Sequence, residues 1–205
     1  MLEVEETEFY FEHYIWDEKH YMFGYEADTY ENGFPWIRSL ERRFQYIAAN
    51  PERLGDSAPI FLIREMIKWG SSSKRDISPK FDDYVGQYCL SDKIAEVINS
   101  LDHVYEAIVA ARSIPGLGPT YASKLLRFLR PSQYGALDDR IKSAMLDDIR
   151  ERVDIDNGRI SNTDDQYVSY IHLLREHQQQ LLQQLNVEYT VAEIEMALFQ
   201  WAADN

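Results

Sequence analysis

The sequence predicts an all-α protein, essentially a single domain, and three observations carry that expectation. Apolar residues recur at spacings of three and four along most of the chain from Pro35 onward. The breaks between these stripes hold proline, glycine or serine and aspartate caps, and only one short stretch alternates as a strand would. The 205 residues suffice for a sizeable core, and 45% apolar with 27% charged is an ordinary globular mix.

The opening segment is acidic and aromatic, with Phe9, Tyr10, Phe11, Tyr14, Trp16, Tyr21, Phe23 and Tyr25 crowded together. Such rings bury large areas, so they read as a packed N-terminal arm, with a base-stacking or protein-partner surface as the other reading. Pro35 then precedes Trp36, Ile37, Leu40, Phe44 and Ile47, one apolar stripe of an amphipathic helix. A second helix is expected from Pro59 to about Trp69. A third starts after Ser91 as N-cap and continues through YEAIVAAR toward Arg112. Further helices are expected over Tyr121 to Leu129, Asp139 to about Arg152, Asp165 to about Leu185, and Ala192 to Ala203. Between them, Val153, Ile155 and Ile160 flank Asn157-Gly158, the signal of one small β-hairpin.

Charge and cysteine content narrow the function. The net charge is −14, with ten acids against Lys19 alone in residues 1–31 and ten acids against three arginines in residues 151–205. The stretch from Phe61 to Arg150 is close to neutral, with thirteen basic and twelve acidic residues. A chain so acidic lacks long-range attraction for phosphate, which argues against a histone-like or sliding binder and leaves room for a local phosphate grip in the middle. Cys89 is the sole cysteine, so no intrachain disulfide or iron–sulfur cluster is expected and a reducing compartment, the cytoplasm, is the natural setting. No apolar run is long enough to cross a membrane. His13, His20, His172 and His177 lack ligand spacing, so no metal site is expected.

The most specific segment is Ile114-Pro115-Gly116-Leu117-Gly118-Pro119-Thr120-Tyr121-Ala122-Ser123-Lys124, set between two helical patterns. Two glycines one residue apart make a tight turn with uncovered backbone amides, and the following helix adds the positive end of its dipole. Such a turn holds a phosphate without a lysine. Ile114 and Leu117 would pin it to its two helices. This pattern resembles the helix-hairpin-helix DNA-binding motif, the plainer reading being a packing corner.

Downstream, Tyr134-Gly135-Ala136-Leu137-Asp138-Asp139-Arg140-Ile141 extends the resemblance to the helix-hairpin-helix DNA glycosylase superfamily, the group of endonuclease III, MutY and the 8-oxoguanine glycosylases. The resemblance covers about residues 58–150 and implies a glycosylase-like helical bundle. It divides the chain into an arm and first helix (1–57), a core (58–150) and C-terminal helices packing on it (151–205). It implies DNA as partner, gripped through Pro115, Gly116, Leu117, Gly118, Thr120, Lys124 and Arg127, with Asp138 as the catalytic carboxylate. No cofactor is implied, though a monovalent cation at the hairpin is compatible with it.

Lysine-bearing members of the superfamily place their nucleophile where this chain has Thr120, eighteen residues before Asp138. That departure favours hydrolysis by water; Lys124, one helical turn on, is the alternative amine. Glu65, in Phe61-Leu62-Ile63-Arg64-Glu65-Met66-Ile67, falls where MutY-like members carry an acid/base glutamate, against the plain reading of a surface acid. Lys124, Arg127 and Arg130 recur every three residues and are expected along the DNA backbone or on a solvated face. Asp138 also precedes a helix as an N-cap would, a role that can coexist with catalysis. The expected function is removal of a damaged or modified base from DNA, in repair or in defence against foreign DNA. The competing expectation is a non-catalytic DNA-binding module.

Overall fold

The computed structural model describes residues 1–14, 36–53, 55, 57–70, 78–85, 89–144, 155–156, 159–160 and 163–205. Within these the chain forms helices α1 (Val4–Glu12), α2 (Trp36–Ala49), α3 (Ser57–Gly70), α4 (Ser78–Val85), α5 (Leu90–Asn99), α6 (Val104–Arg112), α7 (Pro119–Leu129), α8 (Asp139–Ala144), α9 (Asp164–Leu185) and α10 (Val191–Asp204). The expected β-hairpin is present as a two-residue pair, Ile155 opposite Ile160 and Asp156 opposite Arg159. Pro35, the aromatics from Trp16 to Tyr25, and Asn157-Gly158 lie outside the described residues.

Helix α7 is the axle of the fold. Every residue from Ala122 to Leu129 is buried, and α6, α2 and α3 pack around it. Phe128 near its C-terminal end stacks on Phe44 of α2 at 5.4 Å and meets the edge of Trp69 of α3 at 5.1 Å. Ring pairs of this kind contribute roughly 1 kcal/mol each beyond the area they bury. One hydrophobic cluster joins all of this to both ends of the chain, running from Leu2 to Leu198.

Of the N-terminal arm, α1 is seated on α10. Its buried Thr7 donates to the Glu3 carbonyl and so accepts from Nε2 of His177 on α9, at 2.9 Å. Phe11 meets Tyr189 edge-on, and Tyr14 meets Phe199.

The single long helix expected from Ser91 to Arg112 is in fact two, α5 and α6. The first is capped at Cys89 rather than Ser91. Ser100 turns its hydroxyl back to the Glu96 carbonyl, ending α5. The bend is then held from afar: the Leu101 carbonyl accepts from Tyr134 Oη at 2.6 Å and Arg130 at 3.1 Å, and Arg130 also pairs with Asp102. Local periodicity carries no record of such partners. Helix α4 was not anticipated at all.

Candidate active site

The hairpin between α6 and α7 is built from backbone. Ser113 donates its hydroxyl to the Ala110 carbonyl, and Leu117 N–H closes the turn onto the Ile114 carbonyl at 3.0 Å. Ile114 and Leu117 are buried and fasten it to the core. The two glycines serve different ends. Gly116 has φ 89°, a conformation L side chains rarely adopt, so the turn itself requires it. Gly118 has φ −70°, and a Cβ there would meet no atom within 4 Å. The fold has no need of a glycine at 118; what the missing side chain leaves is room for another molecule to approach the start of α7. Pro119, at the first helical position, has no N–H to leave unpaired.

The loop that delivers Asp138 is tied down at successive residues. Tyr134 is fully buried; Tyr167 Oη donates to the Gly135 carbonyl at 3.0 Å and Tyr170 Oη to the Ala136 carbonyl at 3.2 Å. Burial raises all three phenols, so they stay neutral donors. Gly135 is dictated by packing, since a Cβ there would stand 2.7 Å from Leu174 and 3.0 Å from the Glu195 Cβ. Leu137 N–H donates to Ser123 Oγ at 3.0 Å, and the same hydroxyl donates to the Thr120 carbonyl at 2.8 Å. One buried serine therefore joins the first turn of the hairpin helix to the residue before Asp138.

Asp138 Oδ1 accepts from the N–H groups of Arg140 at 2.9 Å and Ile141 at 3.1 Å, the geometry of a cap. Its other oxygen has no hydrogen-bond partner among the described residues. One turn along α8, the nearly buried Lys142 returns its ammonium to Thr120 Oγ1 at 3.3 Å, a second bridge to the hairpin.

Behind this loop runs a row of alternating charges. Glu193 pairs with Arg38 (2.7 Å), Arg38 with Glu41 (3.0 Å), Glu41 with Arg127 (2.8 Å) and Arg127 Nε with Glu195 (3.0 Å). The outer pair is partly exposed, whereas Glu41, Arg127 and Glu195 are all at most 4% exposed. Burial acts to lower Arg127, but the two glutamates outweigh it and raise it. Burial raises the Glu195 carboxyl to about 7, Asp138 adds to the rise, and Arg127 and Lys124 hold it back. The Tyr14 hydroxyl feels burial first, then Glu195, and is raised as well.

Two expectations, the DNA-facing placement of Arg127 and of Lys124, are corrected here. Arg127 is fully buried between two glutamates and Lys124 is 3% exposed, so neither lies along a DNA-facing edge. The reason is that α7 is enclosed on every side, so a three-residue spacing of cations runs into the core. Lys124 packs its ammonium over the rings of Trp69 (5.0 Å) and Tyr121 (5.7 Å) and reaches the Gly70 carbonyl at 3.5 Å. Arg130 is engaged by Asp102. Glu65 accepts from the two terminal guanidinium nitrogens of Arg43, at 3.2 and 2.5 Å. By contrast, Pro115 and Gly118 are exposed, and Asp138 and Lys124 both act on Glu195, which brings those two predicted residues to one neighbourhood.

Glu195, Lys142 and Glu41 were not anticipated. Glu195 left a signal: it interrupts the apolar run Ile194-Glu195-Met196-Ala197-Leu198, in which every residue is buried. Among the described residues no group of three His, Cys, Asp or Glu is placed to hold a metal ion, and no helix is long and apolar enough to cross a membrane.

An all-helical bundle around a glycine hairpin, with an aspartate presented by the loop that follows, is the architecture of the helix-hairpin-helix glycosylases. The chain matches the family model OGG, "Putative 8-oxoguanine DNA glycosylase OGG-like protein", over residues 17–199, and it belongs to that family. No curated protein and no solved structure matches it.

Proposed function

We propose that this protein hydrolyses the N-glycosidic bond of a damaged or modified base in DNA, with water as nucleophile and Asp138 as the carboxylate that activates it. Breaking that bond develops positive charge on the sugar, which a nearby carboxylate stabilises while it orients the water. The observation that carries the reading is the Ser123 hydroxyl, shared between the Thr120 carbonyl and the Leu137 N–H, because it fixes Asp138 relative to the hairpin. A strand held at the hairpin would then bring a base turned out of the stack to the carboxylate. Thr120 offers no amine for a Schiff base, which supports a monofunctional hydrolase.

The family description makes 8-oxoguanine the first substrate to try, followed by a panel of other lesions. The test is free base released from lesion-bearing duplex, with the strand left intact until alkali cleaves the abasic site. Asp138→Asn should abolish release and keep DNA binding. A second reading has a specific observation in its favour: Asp138 Oδ1 already caps α8. On that reading the protein is a non-catalytic binding module. Wild type would then bind DNA, lose that affinity on Gly118→Glu, and release no base from any lesion.

A further inference from the structure

Most outward-facing arginines of this molecule are engaged by acids. Arg43 is held by Glu65, Arg64 by Asp82, Arg112 by Asp164 and Arg130 by Asp102. Arg140 differs: it is exposed, and its guanidinium has neither a carboxylate nor a hydrogen-bond partner among the described residues. In a chain of net charge −14, where acids are plentiful, an arginine left unpaired beside Asp138 keeps its five donors for another molecule.

Arg140 is also held in place. Its backbone N–H donates to Asp138 Oδ1 at 2.9 Å, which ties it to the carboxylate of the site. Its guanidinium lies over the ring of Phe199 on α10, 4.4 Å from the ring centre, and that half-buried ring meets Tyr14 at 6.0 Å. The ring quadrupole attracts the cation, and a planar guanidinium so seated loses little further freedom when it binds. The start of α8 therefore presents a carboxylate and, two residues on, a seated cation open to solvent.

Which group this cation meets follows from the reaction. When the C1′–N bond breaks, the sugar turns positive and the base, which keeps the electron pair, turns negative. Asp138 answers the first charge. The second spreads over the ring nitrogens and carbonyl oxygens of the departing base. A strand phosphate carries the same charge before and after the step, and uncovered amides at the hairpin suffice to hold it. Bases also stack on guanidinium planes, and Phe199 already covers one side of this one.

We propose that Arg140, seated on Phe199, is a catalytic residue that donates to a carbonyl oxygen of the departing base and balances the negative charge it acquires. The inference rests on the glycosylase reading and names the substrate class within it: bases that are neutral in DNA and leave as anions with charge on a carbonyl oxygen, as an oxidised purine does. Alkylated bases that are already cationic are disfavoured. The C1′–N electrons go to the base, and the water oxygen bonds to C1′. Asp138 takes the proton of that water and passes it to the freed base, while Arg140 keeps all of its own protons.

Arg140→Met keeps an unbranched side chain beside Phe199 and removes the charge and the donors. In single-turnover release of 8-oxoguanine from duplex, its saturated rate should fall about 100-fold, while affinity for the lesion duplex stays within about threefold and so shows that the variant is folded. Wild type should accelerate loss of 8-oxoguanine over its spontaneous rate at least about tenfold more than loss of 7-methylguanine, and the reverse order overturns the proposal. If the variant instead loses affinity alone, and the salt dependence of binding falls by about one phosphate contact, Arg140 grips the backbone and the proposal fails. If wild type releases base and Arg140→Met keeps the saturated rate within about threefold, the inference fails and the glycosylase reading stands. If wild type releases nothing from any lesion, the reading itself fails and this role with it.

Discussion

The hairpin and the buried charge row sit on opposite ends of α7 chemistry. The hairpin, Ile114 to Gly118, presents backbone and no charged side chain, and its outer residues Pro115 and Gly118 are exposed. The row from Glu193 to Glu195 is all charge, and its inner three members are at most 4% exposed. Amide dipoles at a helix start attract an anion locally and cost little when nothing is bound. Buried ions are costly unless paired, and each then depends on its neighbours. On the proposed function, a chain of net charge −14 meets DNA by the first device, without long-range attraction for phosphate.

Breaking the row should have the largest effect. Arg127→Met leaves Glu41 and Glu195 facing each other in the core, and should cost about 3–5 kcal/mol in denaturant unfolding. Asp138→Asn is next: release of lesion base should drop at least about 100- to 1,000-fold, with DNA binding by fluorescence anisotropy retained.

The row also predicts a pH dependence of stability. Glu195 is raised from 4.5 to about 7, so the folded protein keeps a proton that the unfolded chain releases in that interval. Stability from this group is therefore full below about 4.5 and lost as pH rises to about 7, on the order of 3 kcal/mol. Melting scans at pH 5 and pH 8 should show the loss, and Glu195→Gln should remove most of it.

The hairpin should respond to smaller changes and in two separable ways. Gly116→Ala strains a left-handed residue and should cost about 1–2 kcal/mol of stability. Gly118→Ala fits without a clash and should leave the melting temperature unchanged, whereas Gly118→Glu should weaken DNA binding more than about tenfold without unfolding the protein. The smallest effect on stability, about 1 kcal/mol, is expected for Ser123→Ala. Its effect on base release should exceed its effect on melting, because the link it removes positions Asp138.

The hairpin was legible in the sequence because its determinants lie within a few residues of one another: Gly-x-Gly, flanking apolar anchors and a proline at the helix start. That the Asp138 loop would lie beside the hairpin was legible from its spacing to that motif. The charge row was not. Glu41, Arg127 and Glu195 stand 86 and 68 residues apart, and a cation in an amphipathic pattern reads as surface unless the helix is known to be enclosed. Arg127 and Lys124 were misread for that reason, and the break at Ser100 was missed because Arg130 and Tyr134 hold it from thirty residues away.

Three hydrogen bonds, two at Ser123 and one from Lys142 to Thr120, make the hairpin and the loop that carries Asp138 parts of one rigid piece. On the proposed function, fidelity follows from stiffness. A duplex seated one nucleotide out of step would be grasped just as firmly, yet its sugar would lie beyond reach of Asp138, so misplacement would end in dissociation rather than in damage to sound DNA.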